Sequence, residues 1–174
     1  MSKVERFIEV YLAGLEHGSE LSQRSQAHED TTLTWALALM GGALLALPTT
    51  LQALDVHVEW TRRGYLLACA PWVLGSIAAV LGRFCCRMLR NADDAFSFHK
   101  TAQIRGVLLK PDPEAAGQEV QDIVNDKVGK LAEFKQATHM WSKWTTRFFY
   151  ATHSLLVLGF LSISAFIIWR SLCR

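Results

Sequence analysis

Three stretches of this chain contain no charged residue, and they constrain its fold more than any other feature. They are residues 31–54, 64–82 and 148–169, and charged residues lie at both ends of each. A helix needs about 20 apolar residues to cross the hydrocarbon core of a bilayer. Because every backbone N–H and C=O in that core must be paired within its own segment, such a stretch must be helical. The sequence therefore predicts an all-α integral membrane protein with three transmembrane helices, at 31–54, 64–83 and 148–169.

The segments outside these stretches are small and carry no catalytic motif. None reaches the about 100–150 residues that are common for a soluble enzyme domain. The sequence contains no GxSxG, HExxH, P-loop or glycine-rich dinucleotide turn. The net charge is +2, and Lys and Arg are interleaved with Asp and Glu, so there is no basic stripe for nucleic acid. We therefore expect no enzymatic activity, no cofactor and no nucleic-acid partner.

Residues 1–30 are predicted to form an amphipathic helix. Its apolar side chains recur at the three- and four-residue spacing of one helix face: Val4, Phe7, Ile8, Tyr11, Leu12 and Leu15. The opposite face is acidic, which favours packing on the protein over lying in the headgroup plane. Both arrangements remain open from the sequence.

The distribution of basic residues predicts the orientation in the membrane. With three spans, the N-terminal arm and the long segment 84–147 share one side, which carries 14 Lys and Arg when Arg83 at the end of the second span is included, against four on the other. Cytoplasmic segments carry the excess of Lys and Arg. We therefore expect a multi-pass protein of the cell inner membrane, with its N-terminus in the cytoplasm and its C-terminus outside.

Residues 84–147 are predicted to form a cytoplasmic helical hairpin with its turn at 110–114. Pro111 prevents the preceding helix from continuing, and Asp112 and Pro113 suit the start of the next helix. The second arm has an apolar seam, which we interpret as a regulatory contact surface for the N-terminal helix and the first arm: Val124, Val128, Leu131 and Phe134. Since the second arm is longer, we expect it to bend or lie flat at 138–147.

Small residues recur in the first two spans and predict close helix packing. The set is Ala38, Gly42 and Ala46 in the first span and Gly75, Ala79 and Gly82 in the second. Small residues allow helix backbones to approach where lipid supplies no hydrophobic drive for association. They can serve packing within one subunit or contact between subunits. The expected partners are membrane lipid, further copies of the chain and a cytoplasmic protein.

Few polar groups are candidates for chemistry. His153 is the ionisable side chain inside a span, and such groups are functional candidates by default. Cys85 and Cys86 lie beside arginines, which can lower a thiol pKa, although two ordinary buried thiols are the simpler interpretation. Residues Asp93, Asp94, His99 and His139 do not have the spacing of a metal site, so no metal is expected.

The order of segments resembles the SLATT family of small bacterial membrane effectors. The likeness lies in residues 23–30 leading into the first span, in the first two spans, and in residues 83–94 leaving the second span. The resemblance implies a protein that forms pores or perturbs membranes when a nucleotide-sensing partner triggers it. This chain differs from that family by a third span, and the family pattern carries no catalytic residues.

Two functional hypotheses follow. The first is an oligomeric effector that forms a pore in the inner membrane or perturbs it, gated through its cytoplasmic helices, with a role in antiviral defence. The second is a non-conducting membrane scaffold or immunity-type protein that binds a partner protein. Small-residue faces favour the first, and the absence of a strongly polar span face favours the second.

Overall fold

The protein is built from four helices in a computed structural model that describes residues 3–53, 58–108, 113–126 and 129–172. The helices are α1 (Lys3–Ala53), α2 (Val58–Leu108), α3 (Pro113–Val124) and α4 (Leu131–Leu172). The all-α prediction is confirmed for these residues. Helix α3 begins at Pro113, the predicted first helical residue, while Pro111 and Asp112 of the predicted turn lie outside the described residues.

Three of the helices are long and apolar enough to cross a membrane, by their length and composition. The qualifying parts are Arg6–Thr49 of α1, Leu67–Val107 of α2 and Leu131–Trp169 of α4. Large apolar side chains in these parts are widely exposed, with Leu45 at 81% and Leu67 at 74%. Exposure of this kind suits lipid, because the acyl chains are as apolar as the leucine side chains.

Two compact units make up the chain, and each is described separately. The charged unit comprises Met1–His28 and Cys85–Lys143, and the apolar unit comprises Glu29–Phe84 and Trp144–Arg174. Helix α1 includes both the predicted N-terminal helix and the predicted first span without interruption. Helix α2 likewise contains a predicted span together with the first arm of the predicted hairpin, and α4 contains a predicted span together with the last part of the second arm.

The apolar unit packs by fitting large side chains against glycines. Trp72 is fully buried, and a Cβ atom on Gly159 would lie only 2.6 Å from its Cε2 atom. Met40 is also fully buried, and a Cβ on Gly75 would lie 2.6 Å from its Sδ atom. Phe160 adds an edge-on ring contact to Trp72 at 5.0 Å between centroids. The glycines therefore bring α2 close to α1 and to α4, since an added side chain would meet a buried neighbour.

The charged unit has a conventional apolar core drawn from all four helices. Its fully or nearly fully buried members are Ile8, Ile104, Val107, Val120, Ile123 and Leu131. Tyr11, Leu12 and Leu15 of α1 pack against this cluster. The first arm, the second arm and the N-terminal stripe are thus brought together, as proposed from the sequence. Phe7 is the exception within the stripe, because 56% of its surface is exposed.

The second arm of the hairpin is interrupted, which differs from the expected continuous seam. Helix α3 ends at Val124, and α4 begins at Leu131. Between them, Asp126 and Gly129 have φ angles of 56° and 53°. This left-handed conformation ends a helix readily when Gly or Asp occupies it. Residues 138–147, where the sequence predicts that the arm bends or lies flat, belong to α4.

Gly159→Ala is expected to destabilise the apolar unit, whereas Gly41→Ala is not. The added methyl group at 159 would overlap the ring of buried Trp72, and overpacking of this kind costs about 1–3 kcal/mol. A Cβ at Gly41 would meet nothing within 4 Å, so alanine there should leave stability unchanged or raise it by up to about 1 kcal/mol. Thermal unfolding of the detergent-purified protein measures both. Equal midpoints for the two variants would contradict the packing described.

Candidate functional site

The predicted small residues divide into two groups with different surroundings. Gly75, Ala79 and Gly82 of α2 are buried inside the apolar unit. A Cβ on Gly82 would lie 3.1 Å from the Leu33 side chain and 3.2 Å from that of Phe148. The α2 group therefore contributes to packing within the subunit.

The small residues of α1 lie on the exposed face of that helix, opposite the face whose side chains are buried. Ala38, Gly42 and Ala46, called here the small-residue face, are all exposed. A Cβ on Gly42 would meet no atom within 4 Å. The buried side chains of the same helix, Ala36, Met40 and Leu47, face the core of the unit. The small-residue face can thus accept another helix at short range without disturbing the core.

An ion pair marks one end of the apolar stretches of α1 and α2. The Nε atom of Arg83 donates to Oδ1 of Asp30 at 2.9 Å, and both side chains are about one-quarter to one-third exposed. The two residues are the charges that bound the first and second apolar stretches at one end. Two consecutive spans run antiparallel, so the residue before the first stretch and the residue after the second lie at the same end of the pair. The opposite charges of Asp30 and Arg83 were therefore a sequence signal for this contact.

Several polar side chains inside the apolar unit bond to carbonyls of their own helices, whereas the buried Nε1 of Trp72 and Oγ1 of Thr145 have no hydrogen-bond partner among the described residues. The Nδ1 atom of His153 lies 2.8 Å from the carbonyl oxygen of Phe149. Because a carbonyl can only accept, Nδ1 carries the proton in this contact. Hydroxyl groups behave similarly: those of Ser76, Thr152 and Ser162 donate to carbonyls three or four residues earlier. Within these described contacts, His153 bonds locally and does not link one helix to another.

The charged unit contains an ionic centre formed by Lys100, Asp126 and Lys135. Lys100 is only 5% exposed, and its Nζ atom donates to Oδ1 of Asp126 at 2.6 Å and to the carbonyl of Val124 at 3.3 Å. Lys135 donates to the other carboxylate oxygen at 2.7 Å. The Lys100 ammonium also lies 5.8 Å and 5.2 Å from the ring centres of Tyr11 and Phe96. The centre therefore fixes the end of α3 against α1, α2 and α4.

At neutral pH the Asp126 carboxyl group is deprotonated and the Lys100 amine is protonated. Burial alone would raise the pKa of Asp126, but the bonds from Lys100 and Lys135 outweigh it and lower this pKa below 3.8. Burial alone would lower the pKa of Lys100, but the bonds to Asp126 and Tyr11 outweigh it and raise this pKa above 10.5. An acidic group whose pKa is lowered by folding stabilises the folded state above its ordinary pKa, and this stabilisation is lost as the pH falls. A basic group whose pKa is raised by folding stabilises the folded state below its ordinary pKa, and this stabilisation is lost as the pH rises. The centre therefore stabilises the fold fully between about pH 5 and pH 9.

The predicted regulatory seam is only partly brought together. Leu131 is fully buried in the core of the charged unit, and Val124 packs against that core half-buried. Phe134 instead stacks on His99 with 5.0 Å between ring centres. Val128 lies outside the described residues. The seam is thus divided between the end of α3 and the start of α4.

Sequence reasoning missed two buried members of this unit, Ile123 and Lys100. Ile123 is 2% exposed, although the predicted seam used its neighbour Val124. Lys100 occupies a position in the apolar repeat of Phe96, Ile104 and Val107. A lysine inside such a repeat was the signal, because a core position that holds a charge requires a buried partner.

The remaining candidate groups have structural partners or are buried. Cys85 and Cys86 are 5% and 1% exposed, which agrees with ordinary buried thiols. Asp93 accepts from the Ser22 hydroxyl at 2.6 Å, and Asp94 accepts from the Gln23 amide at 3.1 Å. Among the residues that the structure describes, there is no group of three or more His, Cys, Asp or Glu side chains that could hold a metal ion.

Comparison with known proteins finds no match for this chain among family models, curated proteins or solved structures. Any functional statement must therefore come from the geometry of the two units.

Asp126→Asn is expected to lower the free energy of unfolding of the charged unit by about 3 kcal/mol, because it leaves the buried Lys100 ammonium without an anion. Asparagine accepts the left-handed backbone at this position, so the change tests the charge and not the turn. Lys135→Met is the matched control: this lysine is 64% exposed, and its loss should cost less than about 1 kcal/mol.

Hydrogen exchange of the α3 amides in the full-length protein measures both variants of the ionic centre. The predicted result is faster exchange in Asp126→Asn alone. Similar protection in the two variants would contradict the assignment of Lys100 and Asp126 as the central pair.

Proposed function

We propose that this chain is an integral protein of the inner membrane with its charged unit in the cytoplasm and its C-terminus outside. The three long apolar helices support three crossings. The support for the orientation is the excess of Lys and Arg in residues 1–30 and 84–147 over the loop 55–63 and the C-terminal end.

Within that membrane, the chain acts as an oligomeric effector that forms a pore or perturbs the bilayer. The observation that carries this proposal is the exposed small-residue face of α1, which the subunit does not use for its own packing. Among the residues that the structure describes, the core of the apolar unit is occupied by the buried side chains of Trp72 and Met40, so we place no aqueous path there. A path would have to be enclosed by several copies. The order of segments also resembles the SLATT effectors, for which such an activity is expected.

The charged unit is proposed to regulate this activity. Its core and its ionic centre hold parts of all four helices together. Three of those helices, α1, α2 and α4, also contain the apolar stretches. A cytoplasmic partner that opened the core would therefore act on the same helices that cross the membrane. Antiviral defence is the role that the resemblance suggests for such a trigger.

One observation favours a second candidate function, that of a non-conducting scaffold or immunity-type binder. The charged unit exposes several large apolar side chains on α1 and α2: Phe7, Val10, Leu21 and Phe98. Exposed apolar side chains outside a membrane are typical of protein contact sites. A scaffold would use them to bind a cytoplasmic protein and would leave the membrane intact.

Gly42→Leu is expected to reduce the oligomer to a smaller species without lowering the stability of the subunit. The leucine would project from the small-residue face and hold neighbouring backbones apart. Leu74→Ala is the control, since this exposed leucine lies on α2 and its loss should change little. Native mass spectrometry in detergent gives the size, and dye release from liposomes gives the conductance.

Two outcomes of this experiment separate the hypotheses. A wild-type oligomer that releases dye, together with a smaller Gly42→Leu species that does not, supports the effector. A wild-type monomer or dimer that leaves liposomes tight excludes a shared pore and leaves the scaffold.

The native cysteines allow a test of orientation. An impermeant maleimide should label wild-type protein in intact cells through Cys173, whereas Cys69, Cys85 and Cys86 are buried. Labelling should disappear in Cys173→Ser. In that background, Lys130→Cys should be labelled only after the cells are permeabilised. Labelling of Lys130→Cys in intact cells would show the inverted topology.

A further inference from the structure

An arginine without a carboxylate partner lies at the boundary of the third apolar stretch. Arg147 directly precedes residues 148–169, and its side chain is exposed. Among the residues that the structure describes, no Asp or Glu lies within ion-pair distance of it. By contrast, Arg83 at the corresponding end of α2 is paired with Asp30. The Arg147 charge is therefore available to a ligand.

An aromatic neighbour holds the Arg147 side chain in place. The guanidinium carbon lies 5.2 Å from the ring centre of Trp144, and Trp144 in turn stacks on Phe148 at 5.9 Å. The ring attracts the cation but offers no lone pair, so the five N–H donors remain available to oxygen acceptors. Because Trp144 already orders the long Arg147 side chain, a ligand that binds there loses less conformational entropy.

The surroundings of Arg147 require a ligand with both an anionic and an apolar part. Trp144 is 43% exposed and Tyr150 is 67% exposed, on either side of the arginine along α4. Tryptophan and tyrosine favour the headgroup level of a bilayer. A guanidinium group binds phosphate through two parallel hydrogen bonds. A free phosphate would use the arginine alone, whereas an anionic phospholipid would contact the arginine and the rings together.

We propose that Arg147 and Trp144 form a binding site for the phosphate of an anionic phospholipid at the end of the third span. The inference rests on the proposed insertion of α4 in the membrane. Bound lipid would neutralise Arg147 and fix the depth of α4 at this boundary. Phosphatidylglycerol offers a phosphate whose negative charge is uncompensated, whereas the phosphate of phosphatidylcholine is already compensated by the choline cation of the same headgroup.

The test is a lipid titration of the full-length protein followed by native mass spectrometry. The probes are phosphatidylglycerol, phosphatidylcholine and inorganic phosphate. We expect Arg147→Gln and Trp144→Leu each to weaken phosphatidylglycerol binding, the first by about fivefold, the contribution of one basic residue near an anionic surface. Arg24→Gln removes an exposed arginine from the charged unit and should leave lipid binding unchanged.

Several outcomes would overturn the site. They are wild-type affinity in Arg147→Gln, equal affinity for the two lipids, or displacement of phosphatidylglycerol by an equal concentration of inorganic phosphate. Carbonate extraction of the same proteins from vesicles separates this proposal from the one on which it rests. Wild-type protein that inserts but shows no lipid preference overturns only the site, whereas wild-type protein that does not insert overturns the membrane assignment as well.

Discussion

Backbone hydrogen bonding in a medium without water is the constraint on which the rest of this structure depends. An apolar stretch of about 20 residues that crosses a bilayer must pair its own N–H and C=O groups, and only a helix does so alone. Two polar side chains of the apolar unit follow the same rule. Thr152 and His153 bond to carbonyls of their own helix and not to neighbouring helices. Helix association in this unit must then come from shape, which is why glycines face Trp72 and Met40.

The two units are stabilised by different interactions. In the charged unit, burial of apolar side chains away from water drives packing, and the ionic centre selects one arrangement of α3 and α4. The buried Lys100 ammonium needs an anionic partner, so its pairing with Asp126 specifies where α3 must end. In the apolar unit, which we propose lies in lipid, the hydrophobic drive for helix association would be absent, and close contact between backbones would replace it. On the small-residue face of α1, a Cβ on Gly42 would meet no described atom within 4 Å, so we propose this face as the contact for a second copy.

Much of the fold could be predicted because its signals are local. The charge-free stretches indicated the three long apolar helices, and Pro113 indicated where α3 begins. The break between α3 and α4 was missed because the apolar seam from Val124 to Phe134 was interpreted as one face of a single helical arm. In the structure, Gly129 and Asp126 both adopt the left-handed conformation. Spacing also could not show which small residues are used within the subunit. Gly42 and Gly75 belong to similar repeats, and only the packing of Met40 distinguishes them.

Disulfide formation between copies tests the central claim most directly, namely that the small-residue face of α1 meets another subunit. The background carries serine in place of all four native cysteines, and single cysteines replace either Ala38 or the exposed Leu158 of α4. After mild oxidation in native membranes, we predict that Ala38→Cys forms disulfide-linked dimers and that Leu158→Cys remains monomeric. Efficient cross-linking through Leu158→Cys, with none through Ala38→Cys, would contradict the account.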